Sequence, residues 1–231
     1  MKIAIISAME KEVTELFDKI QNLEIVKYKT YEFKTGTLGK HEVIVTNGGI
    51  GKTNTGIIVA LMDSLFKGID LIINLGISGG VKGKVKPGEI CISEKLSYSD
   101  VDVTVFGTEY GAVPYLPKYY YGDKKSLECI KSYGTVGMIL TGDKFFTDEE
   151  SCNELINTHF TGENVICFDM ESTAFAQSAY VLGLPFIAIR AISDIIGVSG
   201  QVDNYTDYNL IACKKACDAL EKILELDTII D

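Results

Sequence analysis

Residues 70–80 read Asp70-Leu71-Ile72-Ile73-Asn74-Leu75-Gly76-Ile77-Ser78-Gly79-Gly80. A short apolar run without polar alternation is the pattern of a strand buried on both faces. The strand is read as Asp70–Leu75, ending in the glycine-rich tail. Working outward, strand-like runs alternate with helical ones. Towards the N-terminus, Lys2–Ile6 reads as a strand, and Met9 to Ile20 as a helix with Val13, Leu16, Phe17 and Ile20 on one face. Tyr28–Leu38 and Glu42–Thr46 read as antiparallel strands turning at Gly39, and Thr53–Phe66 as a helix. Towards the C-terminus, Glu89–Tyr98, Thr135–Thr141 and Val165–Phe168 read as strands. A helix, Met170–Leu182, stops at Gly183 with Pro185 beyond, and a strand, Pro185–Ile192, follows. Tyr205–Leu226 reads as a closing amphipathic helix, and residues 99–122, rich in Tyr, Pro and Gly, as a long loop of the kind that carries function. The alternation predicts an α/β fold, a central mixed, partly parallel twisted sheet with helices on both faces, in one domain over residues 1–231. In such sheets ligands bind at the carboxyl ends of the strands.

The chain has 231 residues, 46% of them apolar and 23% charged, with a net charge of −10. Among its 22 basic residues Arg190 is the single arginine. An acidic chain with one arginine argues against a nucleic-acid partner and against a polybasic membrane patch. Met1-Lys2-Ile3-Ala4-Ile5-Ile6 is followed at once by Glu10 and Glu12, so it reads as a first strand and not as a signal peptide. No apolar run approaches bilayer length. Cysteines stand at 91, 129, 152, 167, 213 and 217, none in a CxxC pair, and His41 and His159 lie far from them. No metal site is expected; reduced thiols in a cytoplasmic protein are the plain reading.

Gly49-Ile50-Gly51-Lys52-Thr53 ends like a phosphate-binding loop, but the first glycine of that motif would fall at 46, which is Thr. No GxGxxG follows the first strand. Three carboxylates stand out instead. Glu12 follows the first strand, Glu171 opens a helix in Asp169-Met170-Glu171-Ser172, and Asp194 ends the strand that carries Arg190. A helix dipole favours an ionised Glu171. If the strand stays extended, Arg190, Ile192 and Asp194 share one face. Each carboxylate alone can be a structural ion pair or an end charge. Three beside one crevice, with neither metal nor histidine, fit glycosidic cleavage through an oxocarbenium-like transition state.

The chain resembles the 5′-methylthioadenosine/S-adenosylhomocysteine nucleosidases of the nucleoside phosphorylase family. The matching segments are Ile6–Glu12, Gly49–Lys52, Asn74–Gly80, Asp102–Gly107, Thr141–Phe145, Asp169–Ala174 and Arg190–Asp194, in the family's order. The resemblance implies hydrolysis of the N-glycosidic bond of methylthioadenosine and adenosylhomocysteine, with 5′-deoxyadenosine as a further substrate, releasing adenine without a cofactor. It makes Asp194 the acid at adenine N7, Glu12 the base for the attacking water and Glu171 the partner of the ribose hydroxyls. Met170 lies under the ribose, Phe145 stacks on the base, the backbone of Phe146 touches the base edge, and Ser78 and Ser193 lie at the substrate. Arg190 orients Glu12 or the water. Met9 and Ile50 wall the 5′ group, completed by Val103, Phe106 and Pro114 of a neighbouring subunit, which implies a homodimer with shared sites.

The same fold serves phosphorylases, whose phosphate is clamped by arginines. One arginine cannot build such a clamp, and a carboxylate at position 12 repels phosphate, so hydrolysis is preferred. The chain departs from the family at Ile77, where Ser is usual, at Ser78, at Thr108, where Tyr is often found, and at Asp169, where Glu is usual; the Phe145–Glu171 segment is slightly long. Ile77 predicts a drier nucleophile site. Three alternatives stay open: a nucleoside phosphorylase, a nucleosidase for another purine nucleoside such as futalosine, and a nucleoside-binding protein without activity.

Overall fold

The computed structural model describes residues 1–225, the side chain of Asn204 excepted. In chain order the strands and helices are β1 (Lys2–Ser7), α1 (Thr14–Phe17), β2 (Gln21–Tyr28), β3 (Tyr31–Leu38), β4 (His41–Asn47) and α2 (Lys52–Leu65). Then come β5 (Leu71–Gly80), β6 (Ile90–Tyr98), β7 (Tyr120–Tyr121), α3 (Lys124–Ile130), β8 (Thr135–Thr141) and α4 (Glu149–His159). The last four are β9 (Val165–Asp169), α5 (Ser172–Leu182), β10 (Phe186–Ile195) and α6 (Gln201–Leu224). Leu226, the expected last residue of the closing helix, lies outside the described residues.

The strands form one mixed sheet. β1 runs parallel between β4 and β5, while β3 and β2 extend the β4 edge as an antiparallel hairpin. Beyond β5 the sheet does not stay open. β10 bonds to both β5 and β6, β6 to β8, β8 to β9, and β9 back to β5. These five strands therefore close into a ring, and the carboxyl ends of β1, β5 and β10 meet at its rim.

One face of the sheet, with Ile3, Ile5, Ile73, Leu75 and Ile189, packs on α6 through Ala212, Ala216 and Leu220. The other, with Ala4, Ile6, Ile72, Ala188 and Ile192, packs on α2 and α5 through Ile58, Met62, Phe175 and Ala179. Each side chain of a strand faces one helical layer and its neighbour the other. That is why β5 reads as continuously apolar.

Several expected boundaries are corrected. β5 runs on through its glycines to Gly80, and Gly76 pairs with Arg190 of β10. The expected helix from Met9 to Ile20 is a 3-10 turn, Glu10–Glu12, and the single turn of α1. Val13, at φ −125° and ψ −1°, interrupts it, and the Glu12 carboxylate bonds back to the N–H groups of Ala8 and Met9. The expected strand Tyr28–Leu38 is the second arm of a hairpin that turns through Lys29, at φ 55°. Its first arm, β2, is exposed along its whole length and so shows no apolar alternation. α3 and α4 are helices beyond those expected; Asp123 and Asp148 cap them by accepting from the N–H groups of Ser126 and Ser151, both at 2.8 Å.

Candidate active site

One cavity opens where β1, β5 and β10 end. Its free volume is about 90 Å³, and its lining includes Met9, Glu12, Ile50, Ser78, Phe145, Met170, Glu171, Ser193 and Asp194. A smaller recess shares Phe145, Phe168, Met170 and Asp194 with it and adds Phe146 and Ile196. All three predicted carboxylates therefore line one cavity, and all are buried: Glu12 is 1% exposed, Glu171 5% and Asp194 1%.

Glu12 is held by backbone alone. One carboxylate oxygen accepts from the N–H groups of Ala8 and Met9 at 3.0 and 2.8 Å, the other from Ile77 at 3.0 Å. Burial raises its pKa, while nearby Arg190 and these N–H bonds pull it back. The Ile77 side chain belongs to the apolar core, so position 77 contributes its amide to the site and no hydroxyl. The neighbouring Ser78 hydroxyl is buried with no partner among the described residues.

Glu171 precedes α5 as its N-cap, at φ −137°, and is not part of its first turn. Its Oε1 accepts from the Gly51 N–H at 2.9 Å. The glycine turn that resembles a phosphate loop thus donates to a carboxylate of the chain itself. Burial pushes the Glu171 carboxyl up to about 7; Arg190 and the Gly51 N–H oppose this, and the Asp169 charge adds to it.

Arg190 is fully buried beneath the cavity and does not line it. Its Nε lies 2.9 Å from Asp169 Oδ2 and donates to Ser172 Oγ at 3.0 Å; Nη2 donates to Asn74 Oδ1 and lies 3.7 Å from Glu171 Oε2. Its Nη1 has no hydrogen-bond partner among the described residues, and a Cβ built at Gly76 would meet that atom at 2.0 Å and Glu12 Oε1 at 2.7 Å. Gly76 is therefore the space through which the guanidinium approaches Glu12. Asp169 is anchored by the Thr141 hydroxyl at 2.6 Å and by Ser172. The surrounding carboxylates raise the Arg190 pKa despite its burial.

Asp194 does not share a face with Arg190 and Ile192. The register with β5 shifts between Ile192 and Asp194, an extra residue that reverses the alternation. Ile192 packs towards α2 and α5, whereas Asp194 turns to the start of α6. Its two oxygens accept from Ser193 Oγ at 2.6 Å and from Gln201 Nε2 at 2.7 Å. Burial raises its pKa against both bonds.

Phe145 stands at the mouth, 45% exposed, with its ring edge-on to Tyr205 at 5.6 Å between centroids. Val103, Phe106 and Pro114 line neither cavity of their own chain, and Phe106 is 84% exposed. Sequence reading missed Tyr205, Gln201, Asn74 and Thr141. Tyr205 lies on the apolar face of the expected helix and was legible only as core; the other three carry no spacing signal.

The family model described as the phosphorylase superfamily matches residues 2–225. A 5′-methylthioadenosine/S-adenosylhomocysteine nucleosidase of Geobacillus sp. is 37% identical over 232 residues, covering 97% of this chain and 98% of its own. The crystal structure of S-adenosylhomocysteine nucleosidase from Streptococcus pyogenes in complex with 5-methylthiotubericidin superposes with a TM-score of 0.91 at 33% identity, over 97% of this chain and 96% of that one. A 5′-methylthioadenosine/S-adenosylhomocysteine nucleosidase from Colwellia psychrerythraea, in complex with adenine, gives 0.90 at 29% identity, over 97% and 94%.

Proposed function

The chain belongs to the phosphorylase superfamily, among its 5′-methylthioadenosine/S-adenosylhomocysteine nucleosidases, and from that premise we propose that it hydrolyses the N-glycosidic bond of these two nucleosides to release adenine. The observation that carries this reading is the convergence of Glu12, Glu171 and Asp194 on one buried cavity.

Asp194, its pKa raised, is the acid: protonated, it donates to adenine N7 while its other oxygen accepts from the 6-amino group. Phe145 stacks on the base, the Phe146 backbone meets its edge, and Ser193 steadies the acid. Glu171 binds the ribose hydroxyls above Met170 and stabilises the cationic sugar. Glu12, aimed by three amides, takes the proton of the attacking water, with Ser78 beside it. Arg190 acts from below, setting Glu171 through Asp169 and facing Glu12 with Nη1.

Met9 and Ile50 form the near wall for the 5′ substituent. Exposed Phe106 and Pro114, with half-buried Val103, suit a role in the site of a second copy, so the active form is a homodimer that shares its sites. Among the described residues no helix is long and apolar enough to cross a membrane. Buried thiols at Cys91, Cys152, Cys167, Cys213 and Cys217 suit a reducing, cytoplasmic setting.

The test is adenine release from methylthioadenosine with and without inorganic phosphate. Hydrolysis yields the free thioribose in both, and Asp194→Asn abolishes release. Sugar 1-phosphate formed only with phosphate identifies a phosphorylase. Faster cleavage of an inosine-like nucleoside identifies a different purine specificity. Binding without release, unchanged in Asp194→Asn, identifies a binding protein.

A further inference from the structure

Gln201, the first residue of α6, is buried at 5% exposure, and its side-chain amide is fully committed. Oε1 accepts from the Gly197 N–H at 2.8 Å; Nε2 donates to the Phe146 carbonyl at 2.8 Å and to Asp194 Oδ2 at 2.7 Å. The orientation of the amide is fixed by these partners. Turned over, it would set Oε1 against a carbonyl and a carboxyl oxygen, and Nε2 against an N–H. One –NH2 group thus bridges two acceptors at the edge of the smaller recess, which Phe146 and Asp194 both line.

The 6-amino group of adenine is the same chemical object: a planar –NH2 with two hydrogens to give. Each Asp194 oxygen already accepts one bond, Oδ1 from Ser193 and Oδ2 from Gln201, and the Gln201 amide holds the position from which an amino group would bridge Oδ2 and the Phe146 carbonyl. The Ser193 hydroxyl has a second acceptor in the Ser78 carbonyl at 3.2 Å, so Oδ1 can be released by a hydroxyl rotation. Two –NH2 groups cannot bridge the same pair of acceptors from one position, so an amino group takes the place between Oδ2 and the Phe146 carbonyl only if the Gln201 side chain leaves it.

We propose that Gln201 is an internal stand-in for the 6-amino group, filling the base-recognition acceptors of the empty site until the nucleoside displaces it. The proposal rests on Asp194 being the group that binds the base. It gives Gln201 two effects. It keeps two buried acceptors satisfied in the free protein, which would otherwise be costly. It also sets a competitor that every adenine ligand must replace, so adenine binds less tightly than its own contacts allow and leaves more readily as product. Gln201 sits at the first position of its helix, so its side chain can swing away with the helical ladder intact.

The experiment is calorimetric titration of adenine into the wild-type chain, Gln201→Met and Gln201→Ala. Met keeps the bulk and removes the donors; Ala removes both and covers the case in which one variant folds poorly. Loss of the competitor is expected to tighten adenine binding about tenfold, the scale of one amide bonded to a carboxyl group and a carbonyl. The falling limb of kcat/KM against pH is expected to move to higher pH, because the Gln201 bond lowers the Asp194 pKa and its loss lets that pKa rise. The pH shift follows from the lost bond alone, whereas a residue that only supports the fold leaves adenine binding no tighter when it is removed. If the wild-type chain neither binds adenine nor releases it from methylthioadenosine, the site assignment fails and the proposal with it. If it does both, yet the folded variants bind adenine no more tightly than wild type, the stand-in alone is overturned.

Discussion

Arg190→Met removes the one cation beneath the site, and its effect can be worked out with a sign and a pH dependence. The guanidinium is fully buried and sits 2.9 Å from Asp169 and 3.7 Å from Glu171. Methionine fills much of the volume but leaves these two carboxyl groups, and Glu12 beyond Gly76, without a counter-charge. Removing one partner of a buried pair costs about 3–5 kcal/mol, against a typical total stability of about 5–15 kcal/mol. Arg190 lowers the pKa of both Glu12 and Glu171, so its loss raises them further. A carboxyl whose folded pKa lies above its unfolded value loses stability as pH rises from the unfolded value to the folded one. For Glu171 in the wild-type chain that window runs from 4.5 to about 7, and in the variant it extends upward. The deficit of Arg190→Met is therefore smallest near pH 5 and largest near pH 8. Urea unfolding followed by circular dichroism at the two pH values reads it, with the midpoint falling by roughly 1–2 M at the higher pH. An equal deficit at both, or a variant more stable than wild type at pH 8, refutes the claim that Arg190 compensates buried carboxylates.

Gly76→Ala forces a Cβ to within 2.0 Å of Arg190 Nη1 and 2.7 Å of Glu12 Oε1; a cost of about 1–3 kcal/mol in thermal melting and a sharp fall in adenine release are expected. Unchanged melting and rate would remove Gly76 from the argument. The profile of kcat/KM against pH should rise through about 7, where Glu171 ionises, and fall where Asp194 gives up its proton; Glu171→Gln should lose the rising limb near 7, and a wild-type profile flat from pH 5 to 8 contradicts the assignment. Phe106→Ala should raise KM for methylthioadenosine several-fold while leaving free adenine binding unchanged, since the residue serves only the 5′ end; an unchanged KM in a dimeric preparation argues against a shared site.

What the sequence made legible depended on how local the cause was. The apolar β5 and the layered α/β class follow from side-chain patterning, and the closure of the sheet between β10 and β6 does not, because it is a non-local pairing. β2 was invisible because all eight of its residues are exposed. Glu12, Glu171 and Asp194 are legible as carboxylates at the end of a strand or the start of a helix; the bulge beside Asp194, which breaks the period-two alternation, is not. Gln201 could not be found, since it reaches the site only when the turn from Gly197 to Gly200 brings α6 back over β10.

Two features that could attract a phosphate are present in this chain, and both are engaged largely by its own groups. The guanidinium has its Nε engaged by Asp169 and Ser172 and its Nη2 by Asn74, which leaves only the buried Nη1, and that faces Glu12. A glycine turn with an outward N–H exists, but Gly51 donates to Glu171. Releasing either for an incoming dianion would strand a buried acid, and the dianion would still have to approach Glu12. A neutral water meets neither obstacle, and the hydroxyls of a ribose can join Glu171 without displacing Gly51, because Oε2 accepts no hydrogen bond from the described residues and lies 3.7 Å from Arg190. The arrangement proposed to bind the sugar is thus the same one that disfavours phosphate, and a single residue, Glu171, links the two.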